Sequence, residues 1–246
     1  MIQYGGHAFI KPEKDPFNGW SNDELTDYFG LNPLDPEGQA TGVPGPVVRW
    51  GRYSSLKRFK GGTVHFYTDA RNYANQLMRC PTLPLSKSRA AVAMEPPYHV
   101  WGHQPLLDGL LAIWKKRWVS HYWSAIYGPN RVKVLVDVTV PETFRRFMFL
   151  GVPQGWRAYC TRKHRGDKPD VLEWRAARCR EHAGSDDLLL AVVGGGRETY
   201  RQCQANGWTW VPEEIDCIRD KRKWLRELRK KSKMPEVEAF SAQGAK

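Results

Sequence analysis

From residue 63 onward, short apolar runs alternate with segments of helical length. Residues 63–68, 90–94, 132–138, 157–161, 188–193 and 208–211 are runs rich in Val, Leu, Ala and aromatic side chains. They are continuously apolar rather than alternating, as strands of a parallel sheet read when both faces are covered. Between them, Asp69 is placed to cap a helix running to about residue 78, and Pro105 opens a long helix ended by Gly128. In that helix Leu106, Leu110, Ile113, Trp114, Trp118 and Tyr122 recur at helical spacing and predict its buried stripe. A further helix is expected over 170–182, and helical length also separates the last two runs. The predicted class is α/β, a largely parallel sheet of strand–helix repeats. An open layered sheet and an incomplete barrel are both left open.

Three regions follow. Residues 1–62 read as an N-terminal arm or cap with a basic loop, 63–218 as the α/β core, and 219–246 as a basic amphipathic helix and tail. In the arm, Ser21 and Glu24 form a capping box for a helix to about residue 29, where Gly30 ends it. Residues 32–47 are rich in Pro and Gly and read as loop.

Charge changes the picture. The 246 residues carry a net charge of +12, with eleven tryptophans. A polyanionic partner is the simplest reason, nucleic acid ahead of a membrane surface and DNA ahead of RNA. Arg49, Arg52, Lys57, Arg58 and Lys60 form one basic segment. Lys115, Lys116, Arg117 and Arg162 are further candidate phosphate contacts. Eight of the thirteen residues from Lys221 to Lys233 are basic. There Lys221, Arg222, Lys223, Arg226, Arg229 and Lys230 are expected to bind nucleic acid. An ordinary solvated surface is the competing reading for each segment.

Five cysteines without a CxxC pair argue against a disulfide framework and a zinc ribbon. With no signal-like N-terminus and no apolar run of spanning length, a cytoplasmic location is expected.

Parallel sheets bind ligands beyond the carboxyl ends of their strands. Asp69, Glu95 and Asp137 fall near three such ends. Converging, they would suit Mg²⁺ or Mn²⁺ and phosphodiester chemistry; otherwise they cap, turn or face solvent. Gly194, Gly195 and Gly196, followed by Arg197, lie between a strand and a helix. They suit either a phosphate at a helix N-terminus or a tight turn. His99 and His103 sit in a loop segment and read as hydrogen-bonded or surface histidines.

The stretches Phe66-Tyr67-Thr68-Asp69, Glu95-Pro96-Pro97, Ile113-Trp114-Lys115-Lys116-Arg117-Trp118, Tyr122-Trp123, Val136-Asp137, Leu150-Gly151-Val152-Pro153-Gln154-Gly155 and Val193-Gly194-Gly195-Gly196 carry a resemblance. In order and spacing, residues 63–213 resemble domain-of-unknown-function family 4417, an uncharacterised family of phages, plasmids and integrated elements. The resemblance implies a mobile-element context, without an activity or assigned catalytic residues. The leading expectation is a nucleic-acid-binding phage or plasmid protein acting in replication, maintenance or DNA processing. The alternatives are a divalent-metal-dependent phosphodiesterase or nuclease and a virion or complex assembly protein. Catalysis and homo-oligomer formation are left open by the sequence.

Overall fold

Seven short strands form one all-parallel sheet in which each strand lies beside its predecessor in sequence. The computed structural model describes residues 19–51, 61–128, 130–164 and 167–213. The strands are β1 (Val47–Arg49), β2 (Thr63–His65), β3 (Val92–Met94), β4 (Lys133–Asp137), β5 (Ala158–Arg162), β6 (Leu189–Val193) and β7 (Thr209–Val211). The described helices are α1 (Asn22–Tyr28), α2 (Ala74–Arg79), α3 (Leu83–Ser88), α4 (Leu106–Tyr127), α5 (Val171–Ala183) and α6 (Gly196–Asn206). Parallel neighbours need a crossover, and crossovers of one hand put successive helices on the same side. A sheet so covered curls towards closure. The result is nearly closed and barrel-like, with β1 and β7 as its two edges.

Register sorts the side chains into two faces. Arg49 pairs with His65, Asp137 with Cys160, and Arg162 with Val193. Val64, Ala93, Val134, Val136, Tyr159 and Thr161 point the other way, towards the helices: Tyr159 meets His182 of α5 and Thr161 meets Arg175. One buried cluster joins β4–β7 to α5 and also takes Leu25, Leu31 and Leu34 from the N-terminal region. A second joins Trp50, Val64, Phe66, Tyr73, Leu77 and Trp123 beneath α2 and α4. There Phe66 stacks on Trp123 at 5.6 Å, and the indole N–H of Trp123 donates to Pro81 O at 2.7 Å. A large ring is buried at little polar cost when its one donor is satisfied.

The described part of the N-terminal region joins the sheet and its core. β1 lies inside the stretch expected to be arm and loop, yet it pairs along its length with β2. Val47 and Val48 are a strand signal of two residues, set among prolines and glycines that hide it. The capping box on α1 forms as expected, with Ser21 Oγ accepting from Glu24 N and Glu24 accepting from Ser21 N. The helix expected over 69–78 divides into a 3₁₀ turn, Ala70–Asn72, and α2. Tyr73 interrupts it because its buried hydroxyl donates to Pro97 O at 2.7 Å. The stripe of α4 is also rotated from expectation. Trp114 and Trp118 are half-buried, while Lys116, Arg117, Ser120 and Trp123 face inward. The segment expected to form a basic C-terminal helix and most of the expected basic loop lie outside the described residues.

Gly109 shows how tightly α4 is seated. A Cβ there would stand 2.0 Å from the Phe144 ring. Replacing a helical glycine by alanine ordinarily stabilises by about 1 kcal/mol. Here the clash decides the sign, and Gly109→Ala is expected to destabilise by about 1–3 kcal/mol, read from the urea midpoint.

Candidate functional site

A cavity of about 470 Å³ opens beyond the carboxyl ends of β2 to β5. Tyr67 follows β2, the 97–102 turn follows β3, Thr139 follows β4, and Arg162 and His164 end β5. Trp174 and Arg175 enter from the first turns of α5. Ligands collect at this end of parallel barrels and sheets because strand ends from several units converge there.

Behind the cavity stand two buried ion pairs. Lys116 Nζ donates to Asp137 Oδ2 at 2.9 Å and to Asp137 O at 3.1 Å. Arg117 donates to Glu95 Oε2 and, through Nε, to Leu150 O at 3.0 Å. Glu95 Oε2 also accepts from Asp137 N at 2.9 Å, which joins the pairs. All four side chains are 0–1% exposed. Burial opposes ionisation of Asp137, but Lys116 and hydrogen bonds from Thr139 and Tyr67 hold its carboxyl below the usual range. Burial brings Arg117 down to about 10, so it stays charged at neutral pH.

Asp137 Oδ1 faces the cavity lining. It accepts from Tyr67 Oη at 2.7 Å and from Thr139 Oγ1 at 2.6 Å. Burial first, and then the Asp137 charge, raise Tyr67 well above the ordinary phenol range, so it stays protonated. Thr139 Oγ1 contacts Thr161 Oγ1 at 3.2 Å, and Arg175 NH1 donates to Thr161 Oγ1 at 3.0 Å and Arg162 O at 2.9 Å. Arg175 also faces Asp167 through NH1, at 4.0 Å. Its Nε is buried with no hydrogen-bond partner among the described residues. Arg162 pairs with Glu213 at 2.6 Å. Burial, then the Arg162 charge, lower the His164 imidazole and keep it neutral.

The candidates singled out from sequence are dispersed. Glu95 and Asp137 do meet, but each is already matched by a buried cation. Asp69 instead caps the 3₁₀ turn and pairs with Arg71 at 2.5 Å, and hydrogen bonds from Arg71 lower it to about 2. No group of three metal-ligating side chains occurs among the described residues. An Mg²⁺ or Mn²⁺ ion at Glu95 and Asp137 would have to displace Arg117 and Lys116. The triple glycine is a tight turn, with positive φ at all three positions. A Cβ on Gly194 would meet the Glu213 carboxyl group at 2.7 Å, and one on Gly195 would meet Thr199 at 2.1 Å. Arg197 is exposed beside it. Tyr67, Thr139, His164 and Arg175 were not singled out. Arg175 had a signal, since it shares the apolar stripe of Leu172, Ala176 and Cys179.

The comparisons with known proteins are sparse. No family model matches the chain, and no curated protein matches it. A solved structure of an HpcH/HpaI aldolase/citrate lyase family protein from Burkholderia cenocepacia J2315 is similar at 15% identity. The match covers 85% of this chain and 98% of that one, with a TM-score of 0.38.

The expectation of a nucleic-acid-binding phage or plasmid protein is corrected. Lys116 and Arg117, two of its proposed phosphate contacts, are buried in ion pairs; Arg162 is held by Glu213. Arg49 and Lys115 are half-buried. Arg52, Lys57, Arg58, Lys60 and the basic cluster Lys221, Arg222, Lys223, Arg226, Arg229 and Lys230 lie outside the described residues. The metal-dependent nuclease falls with the neutralised carboxylates. The tryptophan surface expected for the assembly reading is reduced: Trp50, Trp123, Trp156 and Trp208 are buried, while Trp20 and Trp101 are exposed. No described helix is long and apolar enough to cross a membrane.

Two outcomes follow from these buried charges. Lys116→Met leaves Asp137 buried without its cation and is expected to cost about 3–5 kcal/mol in chemical denaturation. Lys116→Met/Asp137→Asn removes the orphaned charge and is expected to recover part of that loss. Burial also holds His65 down to about 3 and His182 to about 4. An unfolded histidine titrates near about 6.5, so between those values the unfolded chain binds more protons. The stability these neutral imidazoles contribute is full above about pH 6.5 and is lost as pH falls towards their folded values. Urea midpoints should therefore start to fall below about pH 6.5, before the carboxylates titrate; a flat profile down to pH ~5 would contradict this.

Proposed function

We propose that this cavity is the active site of an enzyme acting on a small organic anion, with a carboxylate as the group it grips. The reading rests on Arg175. Its hydrogen bonds and its ion pair all run through NH1, which fixes the guanidinium. On the opposite edge, which carries Nε–H, Nε is buried with no hydrogen-bond partner among the described residues, and the side chain lines the cavity. That edge is a two-pronged donor matched to the two oxygens of a carboxylate. A guanidinium immobilised beforehand loses little freedom when it binds.

The rest of the lining fits that role. Trp101 and Trp174 offer apolar wall for the body of the ligand. Lys168 is exposed at the rim, where it adds positive potential at the entrance. His164 is the candidate general base, because it is neutral and lines the cavity. The cavity's size is that of a small-molecule site.

The test is calorimetric titration of the full chain with short carboxylates and with inorganic phosphate. Arg175→Lys keeps the charge and loses the fork, and is expected to weaken carboxylate binding about tenfold or more without unfolding the protein. Unchanged affinity in Arg175→Lys, or no carboxylate binding by the wild type, would overturn the reading.

A further inference from the structure

The order of protons around Asp137 restricts what the cavity floor can offer. Asp137 is ionised, so both oxygens only accept. Tyr67 has one hydroxyl proton and commits it to Oδ1 at 2.7 Å. Thr139 likewise commits its proton to Oδ1 at 2.6 Å. The short contact between Thr139 and Thr161 therefore runs in one direction, with Thr161 donating. Arg162 N also donates to Thr139 Oγ1, at 3.2 Å, which fills the second lone pair of that oxygen. Thr139 has nothing left for a ligand. Tyr67 lines the cavity beside the Cys160 thiol, whose own proton goes to Leu135 O at 3.3 Å, so Oη has a lone pair but no proton to spare.

Tyr67 and Arg175 both line the cavity and are joined through Asp137, Thr139 and Thr161, so the acceptor and the guanidinium share one floor. Of the carboxylates that line the cavity, Glu142 and Asp170 are exposed at the rim, while Asp167 accepts from His164 N at 2.8 Å and faces Arg175 NH1. We infer that the substrate carries, besides the anionic group held by Arg175, a hydrogen-bond donor, a hydroxyl or an amino group, that Tyr67 Oη accepts. This deepens the reading of the cavity as a carboxylate site and rests on it. A ligand with an ether, a halogen or a bare methylene at that place leaves the Tyr67 lone pair dry and unmatched. Lys116 is a positioning residue in this arrangement: it keeps Asp137 ionised and so fixes which way the Tyr67 proton points.

The experiment compares propionate, lactate and 2-fluoropropionate by calorimetry at neutral pH, on the full wild-type chain and on Tyr67→Phe, with circular dichroism to check folding. Fluorine takes up little more room than hydrogen and cannot donate. Lactate is expected to bind wild type about tenfold more tightly than either analogue, the worth of one buried hydrogen bond. Tyr67→Phe should erase that preference and leave propionate within about twofold of wild type. Equal binding of lactate and 2-fluoropropionate to wild type overturns the inference and leaves the carboxylate site standing. So does a preference for lactate that survives in Tyr67→Phe. If none of the three binds, the carboxylate site falls and the inference falls with it. Should Tyr67→Phe fail to fold, the wild-type comparison decides alone.

Discussion

The structure depends on four charges buried between the long helix and the sheet. Lys116 and Arg117 leave the inner face of α4 side by side and meet Asp137 and Glu95 at the ends of β4 and β3. Taking such ions out of water is expensive, and their attraction repays it only with good geometry and further hydrogen bonds. Those bonds are present. Lys116 also reaches Asp137 O, Arg117 reaches Leu150 O, and the Asp137 amide reaches Glu95. This arrangement fixes the register of α4 against the sheet, because sliding the helix by one turn would strand all four charges. An apolar seam would tolerate such a slip at far lower cost.

The same interaction sets the chemistry of the cavity. An uncharged Asp137 would carry its own proton and could let the hydroxyls around it turn. Held ionised by Lys116, it draws both neighbouring hydroxyl protons towards itself. The floor is therefore organised from behind, by residues that do not line the cavity. A network in which each member is satisfied and each proton has one place stiffens a site. Glu95 Oε1 and Arg175 Nε are exceptions within it, both buried without a hydrogen-bond partner among the described residues, although Arg175 NH1 is spent on the network. Leaving buried donors without partners costs stability, and such defects concentrate where function needs them.

Much of this was legible in the sequence, and the part that was not has a physical reason. The strand–helix alternation from residue 63 showed because buried parallel strands are continuously apolar. β1 did not show, because three residues are too few for any pattern and their pairing is entirely tertiary. Glu95 and Asp137 were found as strand-end carboxylates, and they do come together. Their role was misjudged because their partners were read as surface cations. Yet Lys116 and Arg117 sit three and four residues after Ile113, on the face that α4 buries. Charge within an apolar stripe signals a buried ion pair more than a docking surface. The same logic applies to Arg175 among Leu172, Ala176 and Cys179. Tyr67 and Thr139 had no such signal, since a hydroxyl at a strand end is ordinary until its partner is known.

The cavity sits off the centre of the sheet, and the glycine turn explains why. Beyond β6 the chain turns through three residues of positive φ, which lets Glu213 lie directly against Gly194. From there Glu213 reaches across to Arg162 at 2.6 Å. This ion pair closes the floor on the β6–β7 side and spends one of the two inward arginines on the fold. The free guanidinium edge is then left to Arg175 alone among the described cavity arginines, on the side where β2 to β5 end. A side chain at Gly194 would push Glu213 away and release Arg162 into the same space. The glycines therefore act on the site without binding anything themselves: they decide which arginine faces the ligand.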